Sequence, residues 1–129
     1  MLRNIRALPL LRPRLRLLAL MLVGPGLCGC AGSISATVTS RVDYRTRGGA
    51  SIEARYYALN DGSLHFVKIR LPDGTEATLP NVLSASGAKY SDDRRYVWWT
   101  RGNGAFLEVR NDDGSWRMLY PDCEAVRRR

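Results

Sequence analysis

The residues of this 129-residue chain with evident chemical potential are few: one histidine, three cysteines and the adjacent acidic pairs Asp92-Asp93 and Asp112-Asp113. His65 lies in phase with Val67 and Ile69 on what reads as the inward face of a strand, which makes it structural rather than a general base. Ser86-Gly87 lacks the Gly-x-Ser-x-Gly elbow, and a single histidine so far upstream cannot complete a Ser/His/Asp triad. A glycosidase dyad needs one carboxyl in an apolar pocket, whereas both acidic pairs lie in Gly- or Arg-containing turns where carboxylates are solvated. Cys28, Cys30 and Cys123, even joined by His65, have neither the number nor the spacing of a zinc site, which takes about four ligands. There is no phosphate loop, dinucleotide fingerprint or Cys/His cluster. The chain therefore reads as a non-enzyme without metal, cofactor or small-molecule substrate.

The elements that must position any remaining site are strands. Between residues 33 and 121 no stretch shows a sustained 3.6-residue apolar period, whereas period-two alternation recurs. Ile52, Ala54 and Tyr56 alternate with Glu53, Arg55 and Tyr57; His65, Val67, Ile69 and Leu71 with Phe66, Lys68 and Arg70; Ala105, Leu107 and Val109 with Phe106, Glu108 and Arg110. The separators Gly48-Gly49, Asn60-Asp61-Gly62, Pro72-Asp73-Gly74, Gly102-Asn103-Gly104 and Asp112-Asp113-Gly114 carry hairpin-turn chemistry. The pattern predicts an all-β domain, a small antiparallel β-barrel of about eight strands, because closure removes exposed edges.

Charge is distributed unevenly. The chain holds 20 basic and 12 acidic residues, but five arginines fall within residues 1–16 and no acid precedes Asp43. Removing those five leaves fifteen basic against twelve acidic residues, a net of +3, and Arg127, Arg128 and Arg129 account for all of it. A neutral domain excludes the nucleic-acid reading that the overall +8 invites. The basic start, the apolar run 17–23 and the break at Gly24-Pro25-Gly26 have the order of an export signal. Leu27-x-Gly29-Cys30 resembles the bacterial lipobox, in which the cysteine takes a diacylglycerol and becomes the mature N-terminus. The expected organisation is a lipoprotein signal peptide at 1–29, a lipid-anchored tether at 30–38, a β-barrel domain at 39–126 and a basic tail at 127–129. Ala31, rather than aspartate, after Cys30 implies an outer-membrane anchor facing the periplasm.

Two segments in the second half remain to be explained. Leu83-Ser84-Ala85-Ser86-Gly87-Ala88-Lys89-Tyr90 puts small residues where a strand gives way to a loop, and Trp99-Thr100-Arg101-Gly102-Asn103-Gly104-Ala105 begins nine residues past Tyr90. They resemble the paired signatures of the periplasmic and membrane-bound inhibitors of C-type lysozyme (the MliC/PliC type), Ser-Gly-x-x-Tyr and Tyr-x8-Trp-x-Lys-Gly-x-x-Ala. Ser86, Gly87 and Tyr90 match the first; Tyr90, Trp99, Gly102 and Ala105 match the second, with Arg101 in place of the lysine.

The resemblance implies a lipid-anchored plug for the lysozyme cleft, with C-type lysozyme and the membrane as partners. Lysozyme cuts peptidoglycan with a raised-pKa acid and an ionised carboxylate. By resemblance Ser86 supplies a hydroxyl and Arg101 a cation to these groups. Gly87 and Ala88 keep the loop thin, Tyr90 supports it, and Trp99 and Thr100 lie beside Arg101. The family also bonds a cysteine in an early Tyr-x-Cys strand to one near the C-terminus; here Tyr44-Arg45-Thr46 offers threonine opposite Cys123. A rival reading is an envelope-binding module that keeps the barrel but takes a glycan or another envelope protein through exposed aromatics, with Trp98 and Trp116 as its candidates.

Overall fold

In a computed structural model, residues 32–126 are described; the expected signal peptide, the lipidation site Cys30 and the tail 127–129 lie outside them. Eight strands follow one another: β1 (Ala36–Thr46), β2 (Ser51–Leu59), β3 (His65–Arg70), β4 (Glu76–Val82), β5 (Ala88–Ser91), β6 (Tyr96–Arg101), β7 (Gly104–Arg110) and β8 (Trp116–Val126). Each pairs antiparallel with the next, and β8 returns to β1 to close the barrel. β1 begins at Ala36, so the last residues expected in the tether are already strand.

Three of the hairpin turns share one device. In Asp-Gly-Ser or Asp-Gly-Thr, the carboxylate accepts the backbone N–H two residues on: Asp61 from Ser63, Asp73 from Thr75 and Asp113 from Ser115. The acceptor role holds all three carboxyls below the usual carboxylate range, through the Ser63 and Thr75 N–H groups first and, for Asp113, the Ser115 hydroxyl first. The glycine between them supplies the positive φ that ends the turn.

The alternation read from the sequence is the inside-outside pattern of the barrel. Ile52, Ala54, Val67, Ile69, Leu79 and Leu107 are almost wholly buried, together with Trp98 at the centre. Trp98 meets Tyr44 edge-on at 5.1 Å, and its indole N–H donates to the Tyr56 hydroxyl at 3.1 Å. That hydroxyl lies 3.2 Å from the Tyr44 hydroxyl, so the polar atoms of this aromatic core are partnered. Burial drives the Tyr56 pKa far above its ordinary value. His65 departs from expectation: it opens β3 and is exposed, because the strand pairing reaches the barrel rim there.

The barrel closes through only four residue pairs between β1 and β8, from Asp43↔Val126 to Thr46↔Cys123. Arg47 N–H donates to the Asp122 carbonyl at 3.1 Å just beyond them, and its guanidinium pairs with the Asp122 carboxylate at 2.7 Å.

Candidate functional site

The site is built by the β5–β6 hairpin. Its ladder runs from Ser91↔Val97 to Ala88↔Thr100, so the segment before β5 and the end of β6 must emerge at the same rim of the barrel. This register is the physical meaning of the sequence spacing between Ser86 and Arg101. At the opposite end of the hairpin, the Asp92 carboxylate accepts the N–H groups of Arg94, Arg95 and Tyr96 at 2.9 to 3.1 Å. Partial burial works to raise its pKa, and the three donors outweigh it and hold it low. Asp92 is thus a turn lock, and only Asp93 of that pair is an exposed carboxylate.

Residues 83–87 connect β4 to β5, two strands joined by only two residue pairs, Asn81↔Tyr90 and Val82↔Lys89. Such sparse pairing lets the loop leave the barrel wall, and side chains then brace it. The Ser84 hydroxyl donates to the Gly87 carbonyl at 2.9 Å, and the Trp99 indole N–H donates to the Ser86 carbonyl at 2.9 Å. Gly87 has φ +67°, and a Cβ there would collide with the Thr100 carbonyl oxygen, so only glycine lets the loop lie against β6. Lys89 stands over the Trp99 ring at 5.2 Å, and Phe106 packs against the same ring at 5.6 Å.

On this braced loop Ser86 is exposed, and the Arg101 guanidinium donates to its hydroxyl oxygen at 2.8 Å. A serine oxygen occupied as an acceptor retains its own O–H for donation outward. The guanidinium, with five N–H donors, retains others for a second partner. The pair forms an exposed, cationic donor unit at the open end of the β5–β6 hairpin, on the barrel rim opposite its turn, suited to carboxylates.

A family model described as membrane-bound lysozyme-inhibitor of c-type lysozyme matches residues 44–116. The chain belongs to this family. It is 37% identical over 83 residues to the membrane-bound lysozyme inhibitor of C-type lysozyme of Pseudomonas aeruginosa, covering 64% of this chain and 59% of that one. It is 58% identical over 54 residues to the Yersinia enterocolitica protein of the same name, covering 42% of this chain and 41% of the relative. The match thus spans less than two thirds of either relative's length. The fold is similar to the crystal structure of Pseudomonas aeruginosa MliC in complex with hen egg white lysozyme, with TM-score 0.52 and 25% identity over 96% of this chain and 100% of that chain.

In this member of the lysozyme-inhibitor family, Ser86, Gly87, Ala88, Trp99, Thr100 and Arg101 come together at one rim. Thr100 joins the two strands, its hydroxyl reaching the Ala88 carbonyl at 3.4 Å. Tyr90 faces the other way: its ring lies 5.5 Å from Tyr56 and packs against the core, supporting the hairpin from within. Thr46 and Cys123 are direct cross-strand partners, both buried, where the resemblance placed the missing staple. Of the aromatics assigned to the rival reading, Trp98 is fully buried and so presents no platform. Trp116 is 39% exposed, with the Arg110 guanidinium 5.6 Å from its ring centre. The brace from Trp99 to Ser86 and the turn lock at Asp92 carry no sequence signature of their own beyond their residue types.

Proposed function

We propose that the protein is a membrane-associated inhibitor of C-type lysozyme that enters the enzyme's cleft with residues 83–87 and the Arg101 end of β6. The observation that carries this reading is the 2.8 Å contact between Ser86 and Arg101 at an exposed, braced rim of the barrel. In the cleft, the Ser86 O–H donates to one catalytic carboxyl, while the guanidinium N–H groups not used on Ser86 offset the ionised one. The loop arrives already ordered by Ser84, Trp99 and Gly87, so little conformational entropy is lost on binding. With a balance of only +3 outside the leading arginines, association gains little long-range steering toward a basic enzyme, and affinity comes from the rim itself. Acylation of Cys30 would hold the protein at the outer membrane, facing the periplasm; Cys30→Ala should then leave the precursor uncleaved or release the protein from the membrane fraction.

The test is titration of the purified protein into hen egg white lysozyme while following lysis of bacterial cell walls. Saturable inhibition is expected. Absence of inhibition against every C-type lysozyme tried would remove the reading.

A further inference from the structure

Leu83 is exposed to a degree that no large apolar residue of the barrel wall matches. Its side chain is fully exposed, whereas the next most exposed large apolar residue among those described, Ile34, is at 65%. Leu83 is the first residue after β4 and opens the segment that carries Ser86. This segment is held by the hydrogen bonds from Ser84 to the Gly87 carbonyl, from Trp99 to the Ser86 carbonyl and from Arg101 to the Ser86 hydroxyl. A leucine on such a loop cannot easily fold back to hide its surface, and its hydration is unfavourable in the free protein. Three residues from Ser86 on the same short segment, Leu83 has its Cα within about 11 Å of it, inside the reach of a surface that receives the Ser86 hydroxyl.

We infer that Leu83 is the apolar anchor of the lysozyme-binding surface, seated against an apolar patch on the rim of the enzyme's cleft while Ser86 and Arg101 address its carboxyls. This rests on the lysozyme-inhibitor reading and adds a residue outside both signature motifs. It also divides the labour of the rim. The polar pair supplies orientation toward the carboxyls, and the leucine supplies buried area, which interfaces concentrate in a few central anchors.

The experiment compares the whole protein carrying Leu83→Ser, Leu83→Met or Ile34→Ser with the unchanged protein, by calorimetric titration against hen egg white lysozyme and by thermal melting. Leu83→Ser should weaken binding about tenfold or more, the loss expected when a leucine-sized burial is forfeited. Leu83→Met should bind within about twofold of the original, since it keeps volume and apolarity. Ile34→Ser should leave binding unchanged, and all the melting temperatures should agree closely, because neither exposed side chain supports the core. Unchanged affinity in Leu83→Ser, or an equal loss in Ile34→Ser, overturns the inference while the inhibitor reading stands. If the unchanged protein itself fails to bind, the underlying reading fails, and the anchor with it.

Discussion

The Arg101 guanidinium and the Ser86 hydroxyl, fifteen residues apart in sequence, share a hydrogen bond of 2.8 Å at the barrel rim. Two groups that touch in the free protein act as one unit in binding, and their removal is not additive. Ser86→Ala should cost about 0.5–1.5 kcal/mol of inhibitory affinity. Arg101→Ala should cost more, about 2–5 kcal/mol, because it strands a carboxylate of the target. The double variant should lose less than the sum, measured by inhibition of lysozyme in a four-member cycle. Strict additivity would show that the contact plays no part in the complex.

Arg101→Lys is expected to weaken inhibition. The contact to Ser86 is made by the terminal Nη2 of a long, forked side chain, and a lysine ammonium is a shorter point charge. Equal or tighter inhibition by the lysine variant would mean that the fork is not used.

Gly87→Ala should abolish most inhibition, because the new methyl group meets the Thr100 carbonyl and pushes the loop off β6, breaking the Trp99 brace. Gly74→Ala is the control. It shares the positive φ, at +86°, but an added Cβ there would meet open space, so it should cost about 1–2 kcal/mol of stability and leave inhibition intact. Matching inhibition by both variants would refute the close approach as the reason for glycine at position 87.

Thr46→Cys should form a disulfide with Cys123. The Arg47 to Asp122 backbone bond marks that pair as hydrogen-bonded; by alternation 46 and 123 form a non-hydrogen-bonded pair, where cross-strand Cα atoms come closest. The oxidised variant gains about 4–5 kcal/mol by the loop-entropy argument, less about 1 kcal/mol for the bond the Thr46 hydroxyl accepts from Ala50 N–H. Thermal melts with and without reductant check it; a shift of the same size in both would exclude the bridge.

Alkaline pH should destabilise the barrel in two overlapping stages. Burial pushes the Cys123 thiol from 9.0 up to about 11, so its contribution is present in full below pH 9 and is lost as pH rises toward 11. Tyr56, raised by burial from 10.0, adds a second loss beginning near pH 10. Over the first window the thiol accounts for about 3 kcal/mol at most. Urea unfolding of Cys123→Ala between pH 8 and 11 should therefore show a shallower decline than the parent; parallel declines would exclude the thiol.

Much of this was legible in the residues. Period-two alternation placed Ile52, Ala54, Val67, Ile69 and Leu107 inward, and the Gly-bearing turns marked five of the seven connections between strands. The Ser86 and Arg101 motifs pointed to one location, which the β5–β6 register explains. Alternation fails at strand ends: His65 keeps the phase of Val67 but lies past the covered part of the wall. It also fails within Tyr96-Val97-Trp98-Trp99, where adjacent tryptophans must face opposite sides and only the pairing partners decide which is buried. The braces that hold the loop depend on side-chain directions in three dimensions, and no spacing rule encodes them.

The four-pair seam between β1 and β8 has a kinetic meaning. Every other strand pairing joins neighbours in sequence and forms as a local hairpin, whereas the seam joins the two ends of the domain and bears the largest loop-closure entropy. By this argument the local hairpins, β5–β6 among them, are expected to form before the seam. No covalent link at Thr46 and Cys123 reduces that closure entropy, whereas the contact between Ser86 and Arg101 lies within locally paired strands.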